Sequence, residues 1–374
     1  MKIAQIAPLW ESVPPKLYGG TERVASYITE ELVRQGHDVT LFASGDSQTT
    51  AALRAACPHA LRLNTGLVNR DAPLILMQEE AFGAEAGQFD IIHSHLDYLS
   101  FPMSRRCQTP VLTTMHGRMD PPELIPIFNE YAEMPLVSIS NAQRTPLPAA
   151  NWVGTVYHGL PDLYSFHPNP KSYLAYLGRI CPEKRPDHAI EIAKRVGIPL
   201  RMAAKVDPVD REYFETKIAP LLDHPLVEYI GEISDAEKGD FLGEAAAVLC
   251  TYDWPEPFGI VLIEALACGT PVFAYRRGSI PEIIENGVTG FICDSLEEMV
   301  SRINCLPLIE RRQCRESFEN RFTVQRMVND YHTLYERLTA LARPKTYIIN
   351  DQTSSVLNGR HVTATEFVAP HGTA

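Results

Sequence analysis

Hydrophobic and polar positions follow one another in two periods along this chain, and the order of those periods predicts its architecture. KIAQIAPL is a short apolar strand, followed by a Pro- and Gly-rich loop, WESVPPKLYGG. The next stretch, TERVASYITEELVRQG, carries Val24, Ile28 and Leu32 at helical spacing, with Gly36 just past its end. HDVTLFAS is the second strand. Strand, loop, helix and strand in that order open a doubly wound parallel sheet. FDIIHSH, TPVLTTMHG and PLVSIS each end an apolar run in polar or small residues. In open α/β sheets the carboxyl ends of the strands line the ligand crevice, so His93, His95, His116, Ser138 and Ser140 are candidates to face it.

Over 156–173 the pattern breaks, and prolines at 161, 168 and 170 mark a linker. Then it begins again. SYLAYLGRI is a strand, CPEKRP a loop and DHAIEIAKRVG a helix; PLRMAAKV, VEYIGEI, AAVLCTY and PVFAYRR follow as strands with helices between them. The expected fold is α/β, with two Rossmann-like domains whose parallel sheets face each other across a cleft. The first spans 1–160 and the linker 161–172. The second spans 173–342 and closes on the helical stretches LEEMVSRINC, IERRQCRESFENRF and TVQRMVNDYHTLYERLTAL, the last with Met327, Tyr331, Leu334 and Leu338 on one stripe. The tail, 343–374, is rich in Thr, Ser and Asn and either stays disordered or packs as an extension.

A length of 374 residues suits two domains of roughly 150 each. The net charge of −12 argues against nucleic acid as a partner, because phosphate backbones demand a basic face. It also makes a local basic cluster at 179–185 informative. No apolar run approaches the roughly 20 residues that span a bilayer, and there is no strong basic amphipathic helix, so membrane contact is expected to be peripheral at most. MKIAQIAPLW reads as a strand and not as a signal peptide, which predicts a cytoplasmic protein. The eight cysteines are scattered without a CxxC pair, as in a reduced chain, and suggest no structural zinc.

Three motifs carry chemistry. In EPFGIVLIEALACGTPV, Phe258-Gly259 precedes a helix over 260–267 that Gly269 ends. Its first backbone N–H groups have no intrahelical partner and lie at the positive end of the helix dipole, where a phosphate or sugar hydroxyls can satisfy them. Glu256 just before the helix can accept hydroxyl hydrogen bonds, and Glu264 can hold vicinal hydroxyls such as those of a ribose. Read blandly, the two are a helix-start charge and a solvated residue. Apolar Leu262, Ile263, Leu266 and Ala267 around Glu264 argue against that, since a desolvated carboxylate needs a polar partner. In GRICPEKRP, Arg179 and Lys184 stand at a strand end and could neutralise a diphosphate, or be a solvated basic loop. In YGGTERV, Gly19 and Gly20 permit close backbone approach at a helix start. That signal is weak alone and is neither a GxGxxG nor a P-loop.

Together EPFGIVLIEALACGTPV, GSIPEIIENGVTGF, GRICPEKRP and YGGTER resemble, in order, the motifs of retaining glycosyltransferases of family 4, which have the GT-B fold; LVRQGHDVTLFAS, FDIIHSH and VYHGLPD are similar to further landmarks of that family. The resemblance covers roughly 1–340. It implies transfer of a sugar from a nucleotide-diphosphate-sugar to an acceptor hydroxyl with retention. Arg179 and Lys184 would grip the diphosphate, Gly20 would offer its backbone to the distal phosphate, and Glu256 would face the transferred sugar beside the amides of Phe258, Gly259, Ile260 and the neighbouring Val261. Glu264 would bind the ribose, Ile233 would meet the nucleobase, and His116 would sit by the sugar. YHGLPD departs from the family, where Asn commonly precedes the Gly, so the hinge is expected to differ.

Departure of the nucleoside diphosphate would leave an oxocarbenium-like sugar, attacked on the same face, with the leaving phosphate oxygen taking the acceptor's proton. A covalent intermediate on Glu256 is the competing scheme. No DxD occurs, so no metal and no other cofactor is expected; cations and the helix dipole would do the metal's work. A UDP-sugar is expected ahead of a GDP- or ADP-sugar, and a saccharide, lipid-linked or small molecule as acceptor. His93, His95 and Asp97 alternate and could hold a metal, or simply line the crevice. A sugar-nucleotide epimerase and a non-catalytic sugar-nucleotide sensor are the other functional readings. A pyridoxal-phosphate phosphorylase shares the architecture but is much longer.

Overall fold

The structure, a computed structural model, describes residues 1–16, 19–62, 64, 66 and 68–342. The tail expected at 343–374 lies outside the described residues.

The two alternating series in the sequence fold into two all-parallel sheets. The first contains β1 (Lys2–Ile6), β2 (Asp38–Ser44), β3 (Ala52–Cys57), β4 (Ile91–Ser94), β5 (Val111–Thr114), β6 (Leu136–Ser138) and β7 (Trp152–Thr155), in the order β3-β2-β1-β4-β5-β6-β7. The second contains β8 (Leu174–Arg179), β9 (Leu200–Lys205), β10 (Val227–Gly231), β11 (Ala247–Cys250), β12 (Val272–Tyr275) and β13 (Gly290–Cys293), in the order β10-β9-β8-β11-β12-β13. In each sheet the direction of winding reverses beside the first strand, between β1 and β4 and between β8 and β11. That reversal opens a crevice at the strands' carboxyl ends.

Helix α1 (Gly20–Arg34) follows β1 and buries Val24, Ile28 and Leu32, the stripe read from the sequence. Helix α2 (Pro186–Val196) follows β8; proline opens it and Gly197, at φ 68°, ends it. Helix α3 (Asp235–Gly243) starts on a capping box made by Ser234 and Glu237. Helix α4 (Ile260–Ala267) has the predicted bounds. Gly269 N–H bonds Leu266 O at 2.9 Å and Thr270 N–H bonds Ala265 O at 2.8 Å, with Gly269 at φ 79°, which is a Schellman close.

The last helix corrects one expectation. Helix α5 (Val324–Ala342) was assigned by chain order to the second domain, but it lies on the first sheet. Its Tyr335 hydroxyl meets Gln5 Nε2 at 3.2 Å and His93 Nδ1 at 2.7 Å, and its Tyr331 hydroxyl meets Thr114 Oγ1 at 3.0 Å. The Met327–Tyr331–Leu334 stripe is real, and polar groups at the centre of the first sheet complete it.

Candidate active site

Each sheet presents loops at its carboxyl edge, and these enclose a single cleft of about 640 Å³. Gly19, Gly20, His116, Arg179, Lys184, Ile233, Glu256, Phe258, Gly259, Ile260, Val261 and Glu264 all line it. Of the other strand-end candidates, His93, His95, Ser138 and Ser140 do not. The tyrosines of α5 cover His93, and Ser140 is spent on a contact between the halves described below.

Two helix N-termini meet in the cleft. A Cβ added at Gly20, the first residue of α1, would touch only Ile260 Cδ1, at 3.8 Å, and Ile260 is the first residue of α4. Neither helix start is capped by a side chain. Gly259 adopts φ 80°, ψ 74° to turn the chain into α4, a conformation that strains any residue with a Cβ. Both dipoles thus present their positive ends to the same space.

The cations are paired. The Lys184 ammonium makes a short ion pair with Glu256 and lies 3.9 Å from the centre of the Tyr252 ring and 5.1 Å from that of Trp254. Arg179, at the end of β8, stands among Glu183 at 2.5 Å and Asp207 and Asp210 at 3.6 Å. Glu264 is only 2% exposed, and the polar partners its apolar flanks demanded are present: the Tyr164 hydroxyl donates at 2.8 Å and Lys238 Nζ at 3.2 Å. Lys238 also meets Asp235 at 3.1 Å, and Asp235 pairs with Arg23 of α1, so the network around Glu264 joins the two halves.

His116 closes the opposite end. Its backbone N–H donates to Asp97 Oδ1 at 3.0 Å, and its Nε2 lies 2.9 Å from His95 Nδ1, whose Nε2 lies 2.9 Å from Gln5 Oε1. Burial pushes the His116 imidazole down to about 3 and holds His93 and His95 well below their ordinary value. His93, His95 and Asp97 therefore form a hydrogen-bonded core, with every imidazole nitrogen of the two histidines engaged by protein. That arrangement does not suit the alternative metal site.

Contacts between the halves lie directly beneath the cleft. Ser140 Oγ donates to Pro257 O at 2.6 Å. Glu282, from the GSIPEII motif, accepts from Asn141 N at 2.8 Å, Ala142 N at 2.7 Å and the Tyr157 hydroxyl at 2.8 Å. Gly278, at φ 50°, packs where a Cβ would come within 2.2 Å of Glu256 O, so this motif also supports the backbone of Glu256. Sequence reasoning missed Tyr164 and Lys238, which reach the site from distant segments and belong to no local pattern, and gave no role to Trp254, two residues before Glu256, or to His158 within YHGLPD.

Two doubly wound parallel sheets with a cleft between their carboxyl edges define the GT-B architecture. Residues 18–180 match the family model for Glycosyltransferase Family 4, and residues 165–320 match that for Glycosyl transferases group 1. The chain belongs to the family 4 glycosyltransferases. It is 25% identical to the N-acetyl-alpha-D-glucosaminyl L-malate synthase of Bacillus anthracis, over 85% of this chain and 93% of the relative. It is 26% identical to the D-inositol 3-phosphate glycosyltransferase of Mycolicibacterium smegmatis, over 71% of this chain and 72% of the relative. Among solved structures, Anabaena HepE in complex with UDP and glucose superposes with a TM-score of 0.70 at 17% identity, covering 90% of this chain and all of the other. Among the described residues no helix is long and apolar enough to cross a membrane.

Proposed function

We propose that this glycosyltransferase takes a sugar from a nucleotide-diphosphate-sugar and transfers it, with retention and without a metal, to an acceptor hydroxyl. The observation that carries this reading is the convergence of two uncapped helix N-termini, Arg179, Lys184, Glu256 and Glu264 on one cleft. UDP is proposed ahead of GDP or ADP as the donor nucleotide, and the Anabaena neighbour's UDP complex supports that choice. The acceptor is a saccharide, a lipid-linked or a small molecule, met from the side of the first sheet, and membrane contact is peripheral at most.

The ion pairs suggest how binding proceeds. Lys184 and Glu256 neutralise each other. An arriving diphosphate is a stronger partner for Lys184 and Arg179, with the helix starts beside them, and Glu256 is released to accept sugar hydroxyls. As the bond from the anomeric carbon to the phosphate oxygen breaks, negative charge grows on the diphosphate, where these groups are already in place. The acceptor oxygen then bonds to the anomeric carbon on the same face, and its proton passes to the departing phosphate oxygen. Glu264, held by Tyr164 and Lys238, receives the ribose.

The test is thermal unfolding with UDP, GDP and ADP, each with and without magnesium, on the wild type and Arg179→Ala. A ligand at about 100 times its Kd adds roughly 2.7 kcal/mol, or several degrees. A rise in Tm with UDP, independent of magnesium and lost in the variant, is expected. The absence of any shift would overturn the proposal of a nucleotide-diphosphate donor, and a shift that needs magnesium would overturn the metal-free mechanism.

A further inference from the structure

Trp10 has no role in the scheme above, yet it is the residue that the loop after β1 turns outward. Leu9, Glu11, Ser12 and Val13 around it are buried, whereas Trp10 is 50% exposed and lines the cleft from the side of the first sheet. Leaving half an indole in water forgoes a large apolar burial, and tryptophan is a side chain that folds normally cover. Two of the chain's three tryptophans, Trp10 and Trp254, line this cleft, one from each half.

The ring stands on a fixed main chain. Leu61 N–H donates to Leu9 O at 2.8 Å and Arg62 N–H to Trp10 O at 3.0 Å. Further along the loop Val13 N–H donates to Ser47 Oγ at 2.9 Å, and Val13 O accepts from Gln48 N–H at 2.8 Å. A Cβ added at Gly19 would come within 2.8 Å of the Pro15 side chain, so the end of the loop packs against its middle. The Arg70 guanidinium lies 5.9 Å from the centre of the Trp10 ring, which steadies the indole without covering it. The result is a half-open aromatic surface, preorganised for a ligand.

The charges beside the ring limit what it can receive. The two arginines that the first half brings to the cleft already have carboxylate partners: Arg62 makes a short ion pair with the buried Glu11, and Arg23 makes one with Asp235. Burial keeps the imidazoles of His116 and His158 neutral. Among the described residues, the first-sheet wall of the cleft therefore offers an anionic acceptor no uncommitted positive charge. A pyranose ring suits this wall better. Its C–H face is apolar and lies flat on an indole, and its rim of hydroxyls can donate to a carboxylate and accept from a guanidinium. We infer that Trp10 is a stacking platform for the acceptor, and that the acceptor is recognised as a neutral saccharide with the Glu11–Arg62 pair at its hydroxyl rim. This rests on the reading of the cleft as a nucleotide-sugar site, and it narrows the acceptor to one class.

The experiment follows UDP release from UDP-glucose, UDP-galactose and UDP-N-acetylglucosamine by wild type, Trp10→Ala and Trp10→Phe. The acceptor probes are glucose, galactose, N-acetylglucosamine, maltose and lactose, the octyl glycosides of the three monosaccharides, and the anions L-malate and inositol 1-phosphate. At least one neutral saccharide is expected to speed UDP release by the wild type. A response to octyl glycosides alone would uphold the inference and make the saccharide a lipid-linked one. Trp10→Ala is expected to raise the KM for that acceptor about fivefold to tenfold, the worth of covering half an indole, with the donor KM within about twofold of wild type. Trp10→Phe is expected to recover part of the loss. Stimulation by the anions alone, or a Trp10→Ala protein with the wild-type acceptor KM, overturns the inference. So does a wild type whose Tm UDP raises but which no saccharide stimulates, and in that case the nucleotide site still stands. Equal rises in donor and acceptor KM in Trp10→Ala would overturn an acceptor-specific role and make Trp10 a structural support of the cleft. A wild type whose Tm UDP leaves unchanged overturns the UDP reading on which the inference rests.

Discussion

Lys184 and Glu256 are each other's partner, so removing either leaves a largely buried charge alone as well as removing a proposed contact to substrate. Arg179→Ala and Lys184→Ala are expected to lower kcat/KM by about 100-fold or more, the usual loss for one group that stabilises a developing anion. Steady-state kinetics with near wild-type turnover in both variants would contradict their role at the diphosphate. Glu264→Ala is expected to raise the donor KM with a smaller change in kcat, because the proposed role of Glu264 is to hold the ribose and not the transferred sugar. The residues of this set were legible because each belongs to a motif whose spacing predicts its place. Glu256 and Glu264 bracket a helix, and Arg179 ends a strand. His93 and His95 misled because strand alternation gives a face but not what covers it: His93 is covered by a pair of tyrosines more than 200 residues away, and His95 is held between Gln5 and His116. Tyr164 and Lys238 carry no local pattern at all.

At the scale of elements, α1 carries a titratable group in its first turn. Burial pushes the Glu22 carboxyl from 4.5 up to about 7. Between those two values the native state keeps a proton that the unfolded chain has lost. The native state therefore binds more protons, and this group's contribution to stability falls as pH rises through that window. Glu22→Gln removes the dependence. Its Tm is expected to match wild type at about pH 5 and exceed it at about pH 8, as thermal melts at the two pH values would reveal, and parallel pH profiles would mean that Glu22 is ionised in the fold. The elements themselves were largely readable from sequence. The strands not foreseen are β3, β7 and β13, and all three are sheet edges, paired on one side only. β3 reads ALRAAC, with no β-branched residue, and its interior positions are mostly exposed or half-buried, so it lacks both signals by which a strand is recognised. Helix α4 was foreseen to the residue because Gly259 and Gly269 mark both ends.

For the whole molecule, the duplicated strand–loop–helix opening predicted the two facing sheets, but not what joins them. Glu282 is the clearest joint, one carboxylate accepting from two backbone amides and a tyrosine hydroxyl of the first half. Glu282→Ala leaves those three donors without their acceptor. Small-angle X-ray scattering of the variant without nucleotide is expected to give a larger radius of gyration than wild type, and an unchanged radius would mean that Ser140 and the Arg23–Asp235 pair suffice to hold the cleft closed. Helix α5 was equally beyond the reach of sequence order, which places it beside the second sheet. Its return to the first has a consequence for biosynthesis. On the ribosome, β1, β4 and β5 are made early, but the hydroxyls that engage Gln5, His93 and Thr114 arrive only with residues 331 and 335. At roughly 5–20 residues per second, about 220 further residues take on the order of ten to forty seconds. Over that interval the nascent first domain exposes its central polar groups and the apolar surface α5 will cover. Its packing is completed only once residues 331 and 335 have been made.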